Sequence, residues 1–300
     1  MSTPAPEAAP GTSRIHNIGY RSYEGPRLGR AYARRSLYSQ SLRGAYGLGR
    51  SAKSKVLPML LAAVMFIPAL IMVSISVYLE AKTLFWEYTQ YAVFLQLVIA
   101  VFLASQAPQS VSRDLRFRTV PLYFSRPIER VDYVLAKYGA MSSALFILTA
   151  TPLVIMWIGS MLAKMDFAEQ ARMFGQGLVS VAVLSVLYGG IGLVMAAFTP
   201  RRGFGVAAVI GVLTIPYSAV SALQGIAYAT DNTGAIVWLG LFSPITLVIG
   251  LQNAFLGAPA SFPAEAQVGA GAGAVYLAVI LALVAACYGI LMRRYRKVGL

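Results

Sequence analysis

Six stretches of twenty or more residues contain no Asp, Glu, Lys, Arg or His and are apolar along almost their whole length: 56–79, 88–107, 138–163, 173–199, 204–225 and 273–292. A bilayer core about 30 Å thick is crossed by roughly 20 helical residues at about 1.5 Å rise each, and where water is absent only a helix satisfies its own backbone hydrogen bonds. The first stretch alone holds thirteen Leu, Ile, Val or Phe, which favours insertion by roughly 4 to 8 kcal/mol. The expected fold class is therefore an all-α integral membrane protein with six transmembrane helices. Composition agrees, since 58% of the 300 residues are hydrophobic and 12% charged, proportions unlike those of soluble domains.

Charge sets the orientation. Of 25 Lys and Arg, 22 lie in alternate gaps: ten before the first stretch, six in 108–137, Arg201 and Arg202, and four in the tail. The opposite gaps hold only Lys82, Lys164 and Arg172, with six of the eleven acidic residues. This bias predicts that both termini are cytoplasmic. The net charge of +14 is thus read as topology, with no nucleic-acid partner expected. One cysteine, Cys287, and one histidine, His16, exclude an intramolecular disulfide and a Cys/His metal cage.

The chain divides into a tip, 1–13, whose Pro, Ala, Ser and Thr offer no apolar face and predict disorder; a basic cytoplasmic segment, 14–55; and a transmembrane domain, 56–300. The first 55 residues lack the apolar core of a secretory signal. In the last outer loop, 236–256 (IVWLGLFSPITLVIGLQNAFL) is nearly long enough to span. Ser243-Pro244 and the Gln252-Asn253 pair predict instead a broken segment that dips into the outer leaflet.

Intramembrane ionisable groups usually mark proton or ion pathways, and the six stretches have none. If the protein pumps, its energy is expected to come from outside the membrane. Residues 47–54 (GLGRSAKS) approach a phosphate-loop pattern, but Ala52 replaces the second glycine, no strand-like run precedes it and an apolar helix follows. A basic linker is the better reading. No paired carboxylates, metal ligands or nucleophile with a base are present, so no catalytic site is expected.

Two cytoplasmic segments carry more than topology. Residues 27–50 place Leu28, Ala31, Tyr38, Leu42, Ala45 and Tyr46 on one helical stripe flanked by Arg27, Arg30, Arg34, Arg35 and Arg43. The pattern suits an interfacial elbow helix with aromatics among headgroups and arginines toward anionic lipid. The loop 108–137 mixes Asp114, Glu129 and Asp132 with six basic residues and sets Leu122, Tyr123 and Phe124 between Pro121 and Pro127. Basic anchoring and an N-cap at Asp132 explain its charges but not its aromatics, which suit docking onto a protein.

The pattern Arg113-Asp114, Thr119, Pro121-Leu122-Tyr123, Ser125-Arg126-Pro127, Arg130, Tyr133 and Lys137 resembles the loop between the second and third helices of permeases of ATP-binding-cassette (ABC) exporters, type 2 family. The run IHNIGYRSYEGPRLGRAYARRS is similar to actinobacterial members. In outline the resemblance extends to six helices, a basic elbow, a coupling loop and a last outer loop with a Ser-Pro. It implies a bacterial plasma-membrane permease, working as a homodimer or heterodimer, that docks on a separate cassette ATPase subunit. ATP and Mg are then bound by that partner, with no cofactor in this chain. Carried over by the resemblance, Thr119 to Arg126 would form the coupling helix, including Leu122 and Tyr123 and followed by Pro127, with Arg113, Asp114, Arg126 and Arg130 making polar contacts. Arg201 and Arg202 would make a minor second contact, or serve only as positive-inside anchors.

Small residues repeat at four-residue spacing in Ala278, Ala282 and Ala286 and in Ser185 and Gly189, a pattern that more often packs helices within one subunit. Pro68, Pro152 and Pro216 are expected to produce static kinks. Without buried charge, a translocation path would be apolar and suited to amphiphiles such as drugs, lipids or hydrophobic peptides, lined by Gln96, Tyr188, Tyr217 and Gln224 unless these only bridge helices. Two rivals remain: a channel or secondary carrier, which lacks a titratable group, and a scaffold or regulatory subunit, which only the coupling-loop resemblance opposes. The charge bias makes one direct prediction. In intact cells carrying Tyr123→Cys without Cys287, an impermeant thiol reagent leaves position 123 unlabelled, and labelling there would show the sorting of charge to be wrong.

Overall fold

The computed structural model describes residues 25, 28–112, 114, 128–199, 202–259, 262–263 and 266–298, and over these it is helix and connecting loop without a strand. The helices are α1 (Arg30–Ala45), α2 (Ala52–Tyr78), α3 (Tyr88–Phe94), α4 (Gln96–Ala107, running into a π turn Pro108–Ser112), α5 (Arg130–Leu162) and α6 (Phe167–Phe198). They continue with α7 (Arg202–Ala229), α8 (Thr233–Leu239, running into a 3-10 turn Gly240–Phe242), α9 (Pro244–Phe255) and α10 (Ala270–Val298). Five of them, α2, α5, α6, α7 and α10, are long and apolar enough to cross a bilayer. A sixth is made by α3 with α4 if that bent pair is one span.

Burial separates centre from periphery. Half or more of the apolar stretch of α5 (50%) and α6 (56%) is buried, against 17% for α7, 22% for α10 and 28% for α2. The long antiparallel pair α5–α6 is therefore the middle of the bundle, and Tyr138 ties it by donating to the Val186 carbonyl at 2.9 Å. Gly189 of α6 faces α5, where a Cβ would lie 2.8 Å from Ser142 Oγ. The Ser185–Gly189 repeat thus serves packing within the chain, whereas Ala278, Ala282 and Ala286 stay exposed. Pro68, Pro152 and Pro216 all sit inside continuous helices.

The second apolar stretch is not the single span its composition suggests. Its helix stops at Leu95 and the halves meet at 61°. Neither Pro nor Gly stands at the break, so tertiary anchoring bends it. The Tyr88 hydroxyl donates to Gln170 Oε1 at 2.9 Å, and Tyr91 donates to the Met65 carbonyl, next to the carbonyl that Pro68 leaves without a helical donor. Gly177 lets α3 sink against α6, since a Cβ there would come within 2.7 Å of Tyr88 Cβ.

The 236–256 segment is broken at Ser243, as its Ser-Pro predicts, into two pieces each too short to span. Pro244 occupies the first turn of α9, where its missing N–H has no partner to lose. Side chains donate to the carbonyls around the break. Gln224 donates to Ile236, Tyr276 to Val237, and Thr246 to Gly240 and Ser243. The Tyr276 ring seats the whole segment, because Gly250 leaves room for it; a Cβ at 250 would lie 2.2 Å from Tyr276 Cε1. Gly250→Ala is therefore expected to destabilise the fold by about 1–3 kcal/mol, and Tyr276→Phe by about 1 kcal/mol. Thermal unfolding of the purified chain in detergent checks both, and an unchanged Tm for Gly250→Ala would mean that the segment is not seated on Tyr276.

Candidate functional site

The N-terminal turns of α5 extend two turns beyond the apolar stretch that begins at Tyr138, and the ends of α1, α4, α6 and α10 gather with them into one basic end of the bundle. Helix α1 packs along α5: Tyr38 donates to Ser143 Oγ at 2.8 Å and Tyr46 to the Ala144 carbonyl at 2.7 Å, while Leu37 and Ala45 are buried. This corrects the expectation of an elbow stripe facing headgroups. Its tyrosines reach protein, because α5 offers hydroxyl and carbonyl acceptors there, and only Leu28 and Ala31 of the stripe's first turn stay exposed.

Asp132 is the buried hub of this contact, with its side chain 1% exposed. It receives Arg30 Nε, lies 3.6 Å from Arg34 Nη1, and accepts the Glu129 N–H at 3.2 Å. The helix therefore starts one turn earlier than expected. Glu129 is the N-cap and Asp132, predicted as the cap, stands at the third helical position and reaches back to it. Arg30 also pairs with Glu129, and the hydrogen bond to Asp132 raises its guanidinium above the ordinary value. The Glu129 pair is exposed and contributes little, whereas Asp132, with its own side chain covered, depends on its partners.

A second cluster stands at the other border of residues 115–127, which lie outside the described residues. Asp114 accepts the Tyr133 hydroxyl at 2.7 Å and lies 3.0 Å from Lys137 Nζ, which also donates to the Ser110 carbonyl at 2.9 Å. The ammonium sits 5.6 Å from the Tyr133 ring centre, and that ring meets Tyr295 of α10 edge-on at 4.9 Å. Arg294 lies over the Phe198 ring at 5.5 Å, tying α10 to the end of α6. The polar groups that bracket the loop are thus joined to α4, α5 and α10 on one side and to α1 on the other.

Of the proposed coupling residues, Asp114 and Arg130 are described, while Arg113, Thr119, Leu122, Tyr123, Arg126 and Pro127 lie outside the described residues, as does Arg201. Only the backbone of Arg202 is described, at the start of α7. Asp114 is turned inward to Tyr133 and Lys137, so its carboxylate anchors the loop. The residues that sequence reasoning missed are Arg30 and Arg34 as partners of Asp132, and Tyr295. Their i, i+4 spacing on α1 and the acidic pair Glu129 and Asp132 were visible signals, but nothing in the chain matched one to the other across a hundred positions.

The four substrate-path candidates are not brought together in a described cavity. Gln224 bridges α7 to α8, and Gln96 opens α4 at the bend, half-buried. Tyr188 is buried, its hydroxyl without a hydrogen-bond partner among the described residues, while Tyr217 is half-buried. Residues 47–54 follow a helix instead of a strand, which removes the fold context a phosphate loop needs.

No family model matches the chain, and a search of curated proteins finds no match. The bracket around the loop gives its own prediction. Lys137→Met removes the ammonium that stands 3.0 Å from Asp114 and donates to the Ser110 carbonyl, and should destabilise the chain by about 1–3 kcal/mol. Adding Asp114→Asn should restore part of that loss. Unfolding in detergent measures both, and additive losses would mean that the two side chains do not interact.

Proposed function

We propose that the chain is the permease subunit of an ABC exporter of the type 2 family, moving an amphiphilic or hydrophobic substrate out of a bacterial cell with ATP hydrolysed by a separate subunit. In this reading α3 and α4 are one bent span, making six. Both termini are cytoplasmic, as the sorting of 22 of 25 cationic residues favours. The basic end then faces the cytoplasm, and α8 and α9 dip into the outer leaflet.

The observation that carries the proposal is how firmly the chain is held on both borders of residues 115–127. At one end Asp114 is keyed to Lys137 and Tyr133; at the other Glu129 and Asp132 are keyed to Arg30 and Arg34. A loop fixed to helix ends at both sides passes a push from a docked ATPase into α4, α5 and α1, whereas a loop that served only topology would need no such anchors. The resemblance of its sequence to family coupling loops supplies the identity of the partner. ATP closure of the ATPase pair would press the segment Thr119 to Arg126, and α5 would carry that displacement to the bundle centre.

The expected outcome is co-purification with a separately encoded cassette ATPase. Arg126→Glu, or Leu122→Asp with Tyr123→Asp, should weaken that association by about tenfold or more and leave the Tm of the spans unchanged. If these variants bind the ATPase as the parent does, the coupling assignment is wrong. A complex that forms but shows no substrate-stimulated ATP hydrolysis would favour the regulatory-subunit reading.

A further inference from the structure

At the basic end, the outer face of α1 and the turn into α2 enclose an open cavity of about 590 Å³. Arg35, Arg43 and Arg50 line it together with Ser36, Ser39 and Gln40, and among the described residues no carboxylate does. The described carboxylates on the α5 side of α1, Glu129 and Asp132, are engaged by Arg30 and Arg34. Arg35 and Arg43 are exposed and make no ion pair among the described residues. Gly47 and Gly49 take left-handed φ values of +69° and +80°, which fold the turn back over α1. Arg50 is fixed there by donating to Gln109 Oε1 at 2.8 Å. The exposed guanidinium forks of Arg35 and Arg43 on one cavity match the oxygens of a phosphate.

We propose that this cavity holds the phosphate-bearing headgroup of an anionic phospholipid. The surroundings favour a lipid over a soluble phosphate. Two apolar side chains on the cavity wall, Tyr32 and Leu48, are 55% and 46% exposed. Two residues after Arg50, α2 begins, and its outward stripe Val56, Leu60, Val64, Ile67 and Ile71 repeats at helical spacing with each member 40% exposed or more. The headgroup site is thereby continuous along the chain with an apolar track that suits acyl chains. The proposal shares with the permease reading only the seat of α1 at a bilayer face, and its test needs no ATPase.

The test is native mass spectrometry of the delipidated full chain, titrated with phosphatidylglycerol, with phosphatidylcholine, and with phosphatidylglycerol in the presence of inorganic phosphate. One phosphatidylglycerol per chain is expected to be retained under conditions that strip phosphatidylcholine. Arg35→Gln with Arg43→Gln should lower its apparent affinity by about tenfold or more, with an unchanged Tm because both side chains are exposed. Arg293→Gln with Arg296→Gln removes the same charge from the same end of the bundle and should leave retention intact. Equal retention by the Arg35/Arg43 variant overturns the site, and an equal loss in the Arg293/Arg296 control overturns it in favour of diffuse attraction. Full displacement by inorganic phosphate overturns the lipid assignment.

Discussion

Backbone hydrogen bonding in a medium without water is the constraint on which this structure depends. Every break in a helix leaves carbonyls that nothing but protein can satisfy, so the polar side chains of the apolar bundle gather at the breaks. Gln224, Tyr276 and Thr246 serve the interruption at 240–243, and Tyr91 donates to the Met65 carbonyl, next to the one that Pro68 leaves without a helical donor. Gln252 crosses from α9 to donate to the Thr89 carbonyl and to Ser180, while Asn253 accepts the Val268 N–H at 2.6 Å and so holds the approach to α10. These two amides pin the broken segment against α3, α6 and the approach to α10.

The same economy of polar groups explains the basic end. Charges are absent from the apolar stretches and concentrated where helices end, and the few acidic residues among them are paired inside the chain. Asp132 and Asp114 convert a basic surface into a rigid one, by binding α1 to α5 and the π turn to α5. Arginines left over, on the face of α1 away from α5, keep their hydrogen-bonding capacity for whatever anion lies against them. Which cations find a carboxylate thus separates those that hold helices together from those left at the surface.

Much of the fold was legible in the sequence, because spanning length and charge exclusion are properties of single segments. Each of the six apolar stretches falls on a long helix or on the bent pair, and the Ser243-Pro244 interruption was visible because proline removes a donor at a known place. The bend at Leu95 was not, since it follows from Tyr88 and Tyr91 reaching α6 and α2. The start of α5 was misplaced by one turn for a similar reason: an aspartate can cap a helix from the cap itself or reach back from inside it, and the arginines of α1 favour the second. The candidate site was legible in part, with Asp114, Tyr133 and Lys137 noticed as a pattern and not as one another's partners.

The sequence by itself determined that the chain is helical and apolar, where its long apolar helices lie and which gaps carry its cations, because length and charge are properties of each segment alone. Only the tertiary structure decided which polar groups meet. It turned the α1 tyrosines onto α5, gave Asp132 to Arg30 and Arg34, and left Arg35 and Arg43 facing an open cavity. Hydrogen bonds and ion pairs form between groups brought close in space, and closeness across a hundred residues is set by packing, not by order along the chain.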